Sequence, residues 1–187
     1  FYQGNKAIAL LRSAWADREA LFVGFKGGNN GFSHAHLDLG TFVFDAVGQR
    51  WALDLGSDSY DLPEYFGNLR WTYYRVNTQG HNTLTLNGQD QDPKAIARLV
   101  AVNSTPTTAF AIADLTAAYK AQGGTRVLRG IALVDNRSRM IVQDEIELTR
   151  PADIVWAMHT KADIVIQGNR AILTQGGVTL EIQFVSP

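Results

Sequence analysis

The sequence predicts an all-β protein that forms a large antiparallel β-sandwich with little helix. The first observation is a series of apolar, β-branched runs from residue 83 to residue 185, each bounded by Gly, Pro, Asn or Asp. The second is that no segment between these runs carries the apolar repeat of an amphipathic helix. Many strands joined by short turns are typical of a sandwich or a barrel. A turn or two of helix is expected only around residues 115–120.

Length and composition limit the classes of protein to which this chain can belong. Its 187 residues fit one domain, expected to span residues 1–187, and are enough to bury a core. The net charge of -1 and the 19% of charged residues favour neither nucleic acid nor an anionic membrane as a partner. Because cysteine is absent, there are no disulfides and any metal ligands must be His, Asp or Glu.

The ends of the chain and its apolar runs bear on its context. The sequence starts at Phe1 without Met or a signal segment, and its last apolar run reaches Val185. No apolar run approaches the ~20 residues that a membrane span requires. We therefore expect a soluble piece of a longer polypeptide, with no membrane span.

Two hairpins are predicted in the first third of the chain. Residues 7–15 and 21–26 are apolar or aromatic and are separated by a charged turn, which indicates the first hairpin. Residues 27–31 are rich in Gly and Asn, but no Lys-Ser/Thr pair or helix follows, so we interpret them as a loop and not as a phosphate-binding site. Residues 37–46 and 50–54 form the second hairpin, which would place His36 and Asp54 on adjacent strands.

Residues 56–80 form a segment of a different kind, which we call the aromatic loop. Four Gly and Pro residues interrupt any periodicity in it, and its rings are Tyr60, Tyr65, Phe66, Trp71, Tyr73 and Tyr74. A long irregular loop is uncommon in a compact domain unless it acts as a lid or a binding wall. Aromatic rings also stack on sugars, so the loop is a candidate carbohydrate surface.

The strand series that follows the aromatic loop supplies the rest of the sandwich. Predicted strands cover residues 83–87, 95–102, 107–113, 126–135, 140–148 and 153–159, with three shorter runs up to residue 185. Hairpin turns are expected at residues 136–138 and 176–177. His159 falls inside one of these runs and is interpreted as a sheet histidine with satisfied hydrogen bonds.

Three histidines and one aspartate form the candidate metal site. His34 and His36 are separated by one residue, and on an extended segment both imidazoles would lie on the same face. Asp54 and His81 can add a carboxylate and a third imidazole, a ligand set that suits zinc and also iron or manganese. The alternative is that the histidine pair merely caps the glycine-rich loop and that Asp54 is a turn residue.

Several motifs occur in an order that carries a family resemblance. In chain order they are His34-Ala-His36-Leu-Asp38, Phe42, Gly48, Trp51-Ala-Leu-Asp54-Leu-Gly56-Ser-Asp-Ser-Tyr60, Tyr73-Tyr74-Arg75 and Gly80-His81-Asn82-Thr83-Leu84. This set closely resembles the heparinase II/III-like polysaccharide lyases, which include oligoalginate lyases. The resemblance implies a β-super-sandwich packed against an N-terminal α/α toroid of the same polypeptide, with the active-site cleft between them.

The resemblance also implies a metal site and a location. The family binds zinc through the second histidine of the pair, the aspartate 18 positions later and the histidine of His-Asn-Thr. These positions are His36, Asp54 and His81 here, and the zinc is expected to be structural. Members of the family degrade acidic polysaccharides or oligosaccharides, so the resemblance implies a bacterial periplasmic or secreted protein.

Catalytic and substrate-binding residues are carried over in the same way. His34 would face the cleft as a catalytic residue, and Tyr60 or Tyr65 would be the proton-transferring tyrosine. The resemblance implies substrate contacts for Tyr74, Arg75 and Asn82. Without it, Tyr74 and Arg75 would be interpreted as ordinary packing and surface charge.

The implied chemistry suits these residue types. β-Elimination removes the proton next to the carboxylate of a uronic acid, expels the glycosidic oxygen and forms a C4–C5 double bond without consuming water. That proton is weakly acidic unless donors or cations stabilise the enolate-like charge. A tyrosine base needs a pKa below its usual ~10, which Arg75 or an imidazolium would provide. Because the toroid side of the cleft is not in this sequence, we expect the isolated chain to be nearly inactive.

Two alternatives stay open at this point. A cupin-like metal enzyme also has a His-X-His pair on a sandwich strand, but its usual Glu is replaced here by Gly40 and Thr41. A non-catalytic carbohydrate-binding module needs only an aromatic loop and no metal. Metal analysis and a product assay distinguish these alternatives from a lyase.

Overall fold

The computed structural model describes residues 1–185, so the last two residues of the expected 1–187 domain lie outside the described residues. The fourteen strands of this part are β1 (Ile8–Arg12), β2 (Phe22–Lys26), β3 (Gly28–Asn29), β4 (Phe42–Ala46), β5 (Gln49–Ala52), β6 (Leu84–Leu86), β7 (Ile96–Ser104), β8 (Ala109–Asp114), β9 (Gly124–Val134), β10 (Arg139–Leu148), β11 (Ile154–Trp156), β12 (Asp163–Gln167), β13 (Arg170–Gln175) and β14 (Val178–Gln183). The helix α1 (Thr116–Tyr119) has a single turn.

Two antiparallel sheets form the body of the molecule. The strand order is β1-β2-β4-β5 in one sheet and β10-β9-β8-β7-β3 in the other. Val23 and Phe25 from the first sheet share one buried core with Ile131 and Leu133 from the second. Burial alternates along these strands because successive side chains point to opposite faces. The prediction of an all-β sandwich with little helix is confirmed.

Two smaller sheets complete the fold and connect distant segments. Strands β12, β13 and β14 form an antiparallel meander, and β6 pairs with β11. In the second pair, Leu84 is opposite Trp156 and Leu86 is opposite Ile154. Because β6 follows the aromatic loop directly, this pairing brings the residues after β11 next to the end of that loop.

Both predicted hairpins are present, but the second is shorter than expected. Strands β1 and β2 pair directly, and β4 pairs with β5. His36 and Asp54 lie outside β4 and β5, so the prediction that they occupy adjacent strands is wrong. The chain turns just before β4, where Thr41 N–H donates to the Asp38 carbonyl at 3.0 Å and Gly40 has a φ of 79°. This turn limits β4 to residues after Gly40.

The segment around the histidine pair is also less extended than predicted. His34 has a φ of 61°, in the left-handed region, and the residues around it form turns. The period-two argument for the two imidazoles therefore does not apply, because that argument requires an extended strand.

The aromatic loop is irregular, as predicted, and contains two short 3₁₀ helices at Arg70–Thr72 and Thr78–Gly80. The predicted helical turn near residues 115–120 corresponds to α1. Within residues 1–185, no helix combines the length and the apolar character needed to cross a membrane.

Candidate functional site

His81 stands at the end of the aromatic loop, in a conformation that the loop itself imposes. Asn77 caps the last 3₁₀ turn by accepting a hydrogen bond from the Gln79 N–H at 3.0 Å. A Cβ atom at Gly80 would lie 2.0 Å from the Tyr74 carbonyl oxygen, so only glycine fits at this position. The chain thus packs tightly against itself immediately before His81.

The His81 imidazole is completely buried, and its two nitrogens have different surroundings. Nδ1 lies 3.0 Å from Asp54 Oδ2. Burial alone would raise the pKa of Asp54, but the hydrogen bond and charge of His81, with the Gly56 N–H, lower it to about 2. Asp54 is therefore an acceptor, and Nδ1 of His81 carries the proton. Nε2 is buried with no hydrogen-bond partner in the described part of the chain.

His36 and Asp38 lie beside His81. Potential ligand atoms of these three residues fall within 4.8 Å of one another, and they form the one such His/Asp/Glu group within residues 1–185. The His36 and His81 ring centroids are 5.2 Å apart. Burial, His81 and Lys26 lower the pKa of His36, opposed by Asp38 and Asp54. A neutral imidazole, the form that binds metal, is favoured.

Asp38 was not among the sequence-predicted ligands. It forms an ion pair with Lys26, whose Nζ lies 2.5 and 2.7 Å from the two carboxylate oxygens. The sequence signal that could have identified Asp38 as a ligand was its position two residues after His36. The predicted ligand set of His36, Asp54 and His81 stays a prediction. The structure adds that Asp54 contacts the Nδ1 side of His81 while Asp38 belongs to the group of converging ligand atoms.

This group fits a divalent metal ion. It offers two imidazoles and a carboxylate, the nitrogen and oxygen ligands that zinc accepts. A carboxylate on the far nitrogen of a ligating histidine is the usual arrangement that orients such a ligand, and Asp54 holds this position on His81. Nε2 of His81 is buried without a hydrogen-bond partner in the described residues, which is costly, and a bound metal ion would provide that partner.

His34 belongs to an aromatic cluster on the surface. Its exposed ring lies 5.1 Å from the Phe66 ring, edge to face, and 5.8 Å from the Tyr60 ring. Tyr60 stacks on Tyr65 at 5.4 Å. The Tyr60 side chain is exposed, whereas Tyr65 is buried and its hydroxyl has no hydrogen-bond partner within residues 1–185. The structure thus brings together all three predicted catalytic residues, and their roles stay predictions.

Arg70 holds this cluster against the histidine segment. Its guanidinium donates to the Ala35 carbonyl at 2.7 Å and to the Tyr65 carbonyl at 3.1 Å. The same group lies about 5 Å from the ring centroids of Tyr65, Phe66 and Trp71. Since Arg70 is itself buried, its charge acts within the fold and joins the aromatic loop to the residue between His34 and His36.

The three predicted substrate contacts occupy different environments. Tyr74 is half exposed, and its hydroxyl lies 2.9 Å from His159 Nε2. Arg75 is partly exposed, donates to the Leu55 carbonyl at 3.0 Å and lies 3.4 Å from Asp58. Asn82 is completely buried, and its amide bonds only with protein groups in the part of the chain described. A substrate contact for Asn82 stays a prediction.

His159 has a larger role in the site than its sequence position indicated. It follows β11 outside any strand, and its hydrogen bonds join Asn82 to Tyr74 across the β6–β11 pair. The sequence placed it within a strand run, where a histidine is unremarkable. Its pairing with Tyr74, 85 positions away, has no local signal.

Arg129 was also missed by the sequence reasoning. It is completely buried in β9 and forms a two-pronged ion pair with Asp144 at 2.7 and 2.9 Å. It also donates to the carbonyls of Gly40 and Asn82 at 3.1 and 3.0 Å. Arg129 alternates in β9 with the same period as the core residues Val127 and Ile131. A charged residue at such an inward-facing position was the signal that the sequence offered. Arg129 therefore connects the large sheet to the site.

Comparisons with known proteins agree on the fold. A family model described as Heparinase II/III-like, C-terminal, matches residues 9–187. The crystal structure of the heparan sulfate lyase HepC from Pedobacter heparinus has a TM-score of 0.80 and 23% identity, over 96% of this chain and 28% of that chain. No curated protein matches the sequence.

Two further solved structures are similar. A heparinase III gene product has a TM-score of 0.73 and 20% identity, over 89% of this chain and 25% of its own. A heparinase III crystal structure has a TM-score of 0.70 and 19% identity, over 89% of this chain and 26% of its own. The chain spans about a quarter of the length of these structures.

Proposed function

The chain belongs to the heparinase II/III-like C-terminal family, and from this membership we propose that it forms the β-sandwich part of a polysaccharide lyase. The reaction is β-elimination on a glycan that contains uronic acid. The observation that carries the proposal is the exposed His34 on its aromatic cluster, two residues from His36, whose ring lies 5.2 Å from that of His81. A candidate acid–base histidine thus lies two residues from a candidate metal ligand.

The proposed substrate is an acidic polysaccharide or oligosaccharide with few sulfate groups. Two similar structures are named as a heparan sulfate lyase and a heparinase III, which supports a uronate glycan. Of the two arginines next to the site, Arg70 is buried in its own contacts and Arg75 is paired with Asp58. Dense sulfate recognition uses several free cations, particularly arginine forks, so this arrangement favours a weakly sulfated glycan. We propose a bacterial periplasmic or secreted location.

We propose zinc as the metal, held by His36 and His81 with a carboxylate from Asp54 or Asp38. When bound, the ion supplies positive charge and a tie between the segment around residue 36 and the end of the aromatic loop. The proposal is supported by the buried Nε2 of His81, by its orientation through Asp54, and by the lowered pKa of the neighbouring His36.

The residues of this chain would act on one side of a cleft. His34 and Tyr60 are exposed and lie within one aromatic cluster, so both can meet a sugar ring. Arg75 follows Tyr74 in the chain and its side chain is 48% exposed, so it can stabilise charge on the uronate carboxylate. The other side of the cleft would come from an N-terminal α/α toroid of the same polypeptide.

The experiment is a product assay on the complete polypeptide. It is incubated with alginate, heparan sulfate and other uronate glycans while the ultraviolet absorbance of the unsaturated uronate is followed. We expect absorbance to rise with chain cleavage and the separate sandwich domain to be nearly inactive, since misplacing catalytic groups by about 1 Å costs about 100-fold. Saturated products that contain oxygen from labelled water would identify a hydrolase and defeat the proposal.

A second outcome bears on the carbohydrate-binding alternative. The exposed rings of Tyr60 and Phe66 favour sugar stacking regardless of chemistry. If the complete polypeptide binds a uronate glycan but releases no unsaturated product, the domain is a binding module and not part of a lyase.

A further inference from the structure

The Asn82 amide has a defined orientation that determines the state of its neighbour. Its Nδ2 donates to the carbonyls of Phe42 at 2.8 Å and Leu53 at 3.0 Å. Its Oδ1 accepts from the backbone N–H of His159 at 2.6 Å. Backbone carbonyls cannot donate and a backbone N–H cannot accept, so the two ends of the amide cannot be exchanged. Oδ1 is therefore an acceptor only.

This orientation selects the tautomer of His159. Nδ1 of its ring lies 3.1 Å from Asn82 Oδ1 and must carry a proton to form that hydrogen bond. The neutral ring then has an unprotonated Nε2, which lies 2.9 Å from the Tyr74 hydroxyl. Burial and His81 lower the pKa of His159, opposed by Asp54, which favours the neutral ring. The Tyr74 hydroxyl therefore donates its proton to a basic nitrogen.

Tyr74 differs from the other tyrosines of the aromatic loop in this respect. The residue is 50% exposed, and the hydrogen bond of its hydroxyl to His159 is also exposed, so the hydroxyl is reachable. The Tyr73 hydroxyl donates to the Pro63 carbonyl, which cannot take the proton away. The Tyr65 hydroxyl is buried without a partner in the described residues, and Tyr60 contacts rings. Within residues 1–185, the loop tyrosine whose hydroxyl rests on a histidine nitrogen is Tyr74.

We propose that Tyr74 is the proton-transferring tyrosine on this side of the cleft and that His159 is its positioning residue and proton acceptor. This inference rests on the proposed lyase function and replaces Tyr60 or Tyr65 in that role. Asn82 acts through His159, since it keeps Nε2 unprotonated and directed at the hydroxyl.

The proton balance closes within the pair. Tyr74 oxygen takes the proton from C5 of the uronate as its own proton moves to His159 Nε2. The electron pair of the C5–H bond forms the C4–C5 double bond, and the pair of the breaking C4–O bond goes to the glycosidic oxygen. The imidazolium returns its proton to the tyrosine oxygen, which passes a proton to the departing oxygen. The pair ends in its starting state, and no water is consumed.

Kinetics of the complete polypeptide test the proposal with Tyr74→Phe, His159→Ala and the matched control Tyr73→Phe. We expect Tyr74→Phe to lower kcat by about 100-fold or more with KM changed only a few-fold, as removal of an acid–base group does. Tyr73→Phe should retain kcat within a few-fold. His159→Ala should lose kcat to a similar extent as Tyr74→Phe.

Added imidazole separates a proton acceptor from a purely structural residue. Added imidazole should raise the kcat of His159→Ala at least tenfold and leave the kcat of Tyr74→Phe unchanged. A Tyr74→Phe enzyme with the kcat of the wild type overturns the proposal. A His159→Ala enzyme that folds but gains nothing from imidazole overturns it as well.

Ring nitrogen NMR of the chain makes the two possible failures distinguishable. With ¹⁵N-labelled histidine, His159 should show a protonated Nδ1 and an unprotonated Nε2, and the Nε2 resonance should move in Tyr74→Phe. A protonated Nε2 at neutral pH would overturn the inference without any activity measurement.

If the wild type eliminates no uronate glycan, the proposed function fails. If it does and Tyr74→Phe is unaffected, only this inference fails.

Discussion

Asp54 Oδ2 lies 3.0 Å from Nδ1 of His81, and the other ring nitrogen of His81 is buried without a hydrogen-bond partner in the described residues. The carboxylate therefore fixes the orientation of the imidazole, whose ring centroid lies 5.2 Å from that of His36. This relationship explains why an aspartate 27 positions earlier in the chain belongs to the site. It also separates two possible functions of Asp54, as a metal ligand and as an orienting residue.

Metal removal and substitution are expected to distinguish these functions. His81→Ala should abolish stoichiometric zinc binding, lower Tm and loosen residues 56–80. If Asp54 orients His81, Asp54→Asn should weaken zinc binding by about 10- to 100-fold. Asp38→Asn is the matched variant and should weaken it more if Asp38 is the ligating carboxylate.

Competition titration with a chelator and metal analysis measure these affinities. Wild-type protein that holds no stoichiometric metal after zinc loading would contradict the zinc proposal as a whole. A larger loss of zinc affinity in Asp54→Asn than in Asp38→Asn would identify Asp54 as the ligating carboxylate.

Arg70 is expected to control the position of the aromatic loop. Arg70→Lys keeps the charge but cannot donate to the carbonyls of Ala35 and Tyr65 from one planar group. It should lower the free energy of unfolding by about 1–3 kcal/mol, since buried acceptors lose their donors. Hydrogen exchange should increase in residues 33–36 and 56–80 but not in β9.

The matched control for this substitution is Arg75→Lys. Arg75 is partly exposed, so the change should leave exchange in residues 33–36 as in the wild type. Equal hydrogen exchange in the Arg70→Lys variant and the wild type would show that the hydrogen bonds of Arg70 to Ala35 and Tyr65 do not control the position of the loop.

Arg129→Met is expected to be strongly destabilising. It removes the partner of the largely buried Asp144 and the donor to the Asn82 carbonyl. Breaking a buried ion pair by deleting one partner costs about 3–5 kcal/mol because a charge is left without compensation. Urea unfolding measures this loss, with Arg126→Met as the control because its ion pairs are exposed.

A double variant tests the cause of that loss. Arg129→Met combined with Asp144→Leu should recover part of the stability, since no unpaired charge remains. If the stability loss of the double variant equals the sum of the losses in Arg129→Met and Asp144→Leu, the unpaired charge is not the cause of the loss in Arg129→Met.

Alkaline pH is expected to destabilise the fold through Tyr119. Burial raises the pKa of this tyrosine, against the opposing effects of Thr83, Gln91 and Arg129. The folded protein therefore disfavours the phenolate, while the unfolded chain ionises near the ordinary value of 10.0. The stability gained from the neutral hydroxyl is complete below that pH and falls as pH rises above it.

Urea unfolding at several pH values between 8 and 11 measures how the free energy of unfolding changes with pH. Tyr119→Phe should be less stable than the wild type at pH 8, because the hydroxyl donates to the Leu84 carbonyl at 2.7 Å. Above pH 10 the difference should shrink. Parallel curves for the two proteins would contradict the assignment to Tyr119.

The sequence alone determined the fold class and the family. Apolar β-branched runs, turn residues and the missing helical repeat are local properties, and they are sufficient for a sandwich whose strands form two packed sheets. The order of the motifs from His34 to His81 identified the family, which the family model matches. Both rest on patterns that can be recognised without knowing which residues meet in space.

Only the tertiary structure decided which side chains form the site. Tyr74 and His159 are 85 positions apart and meet because β6, which follows the aromatic loop, pairs with β11, which precedes His159. Asp38 joins the ligand group from the turn that precedes β4, and Asp54 reaches Nδ1 of His81 from the segment after β5. Such contacts depend on hydrogen-bond geometry within about an ångström, which residue spacing along a chain does not encode.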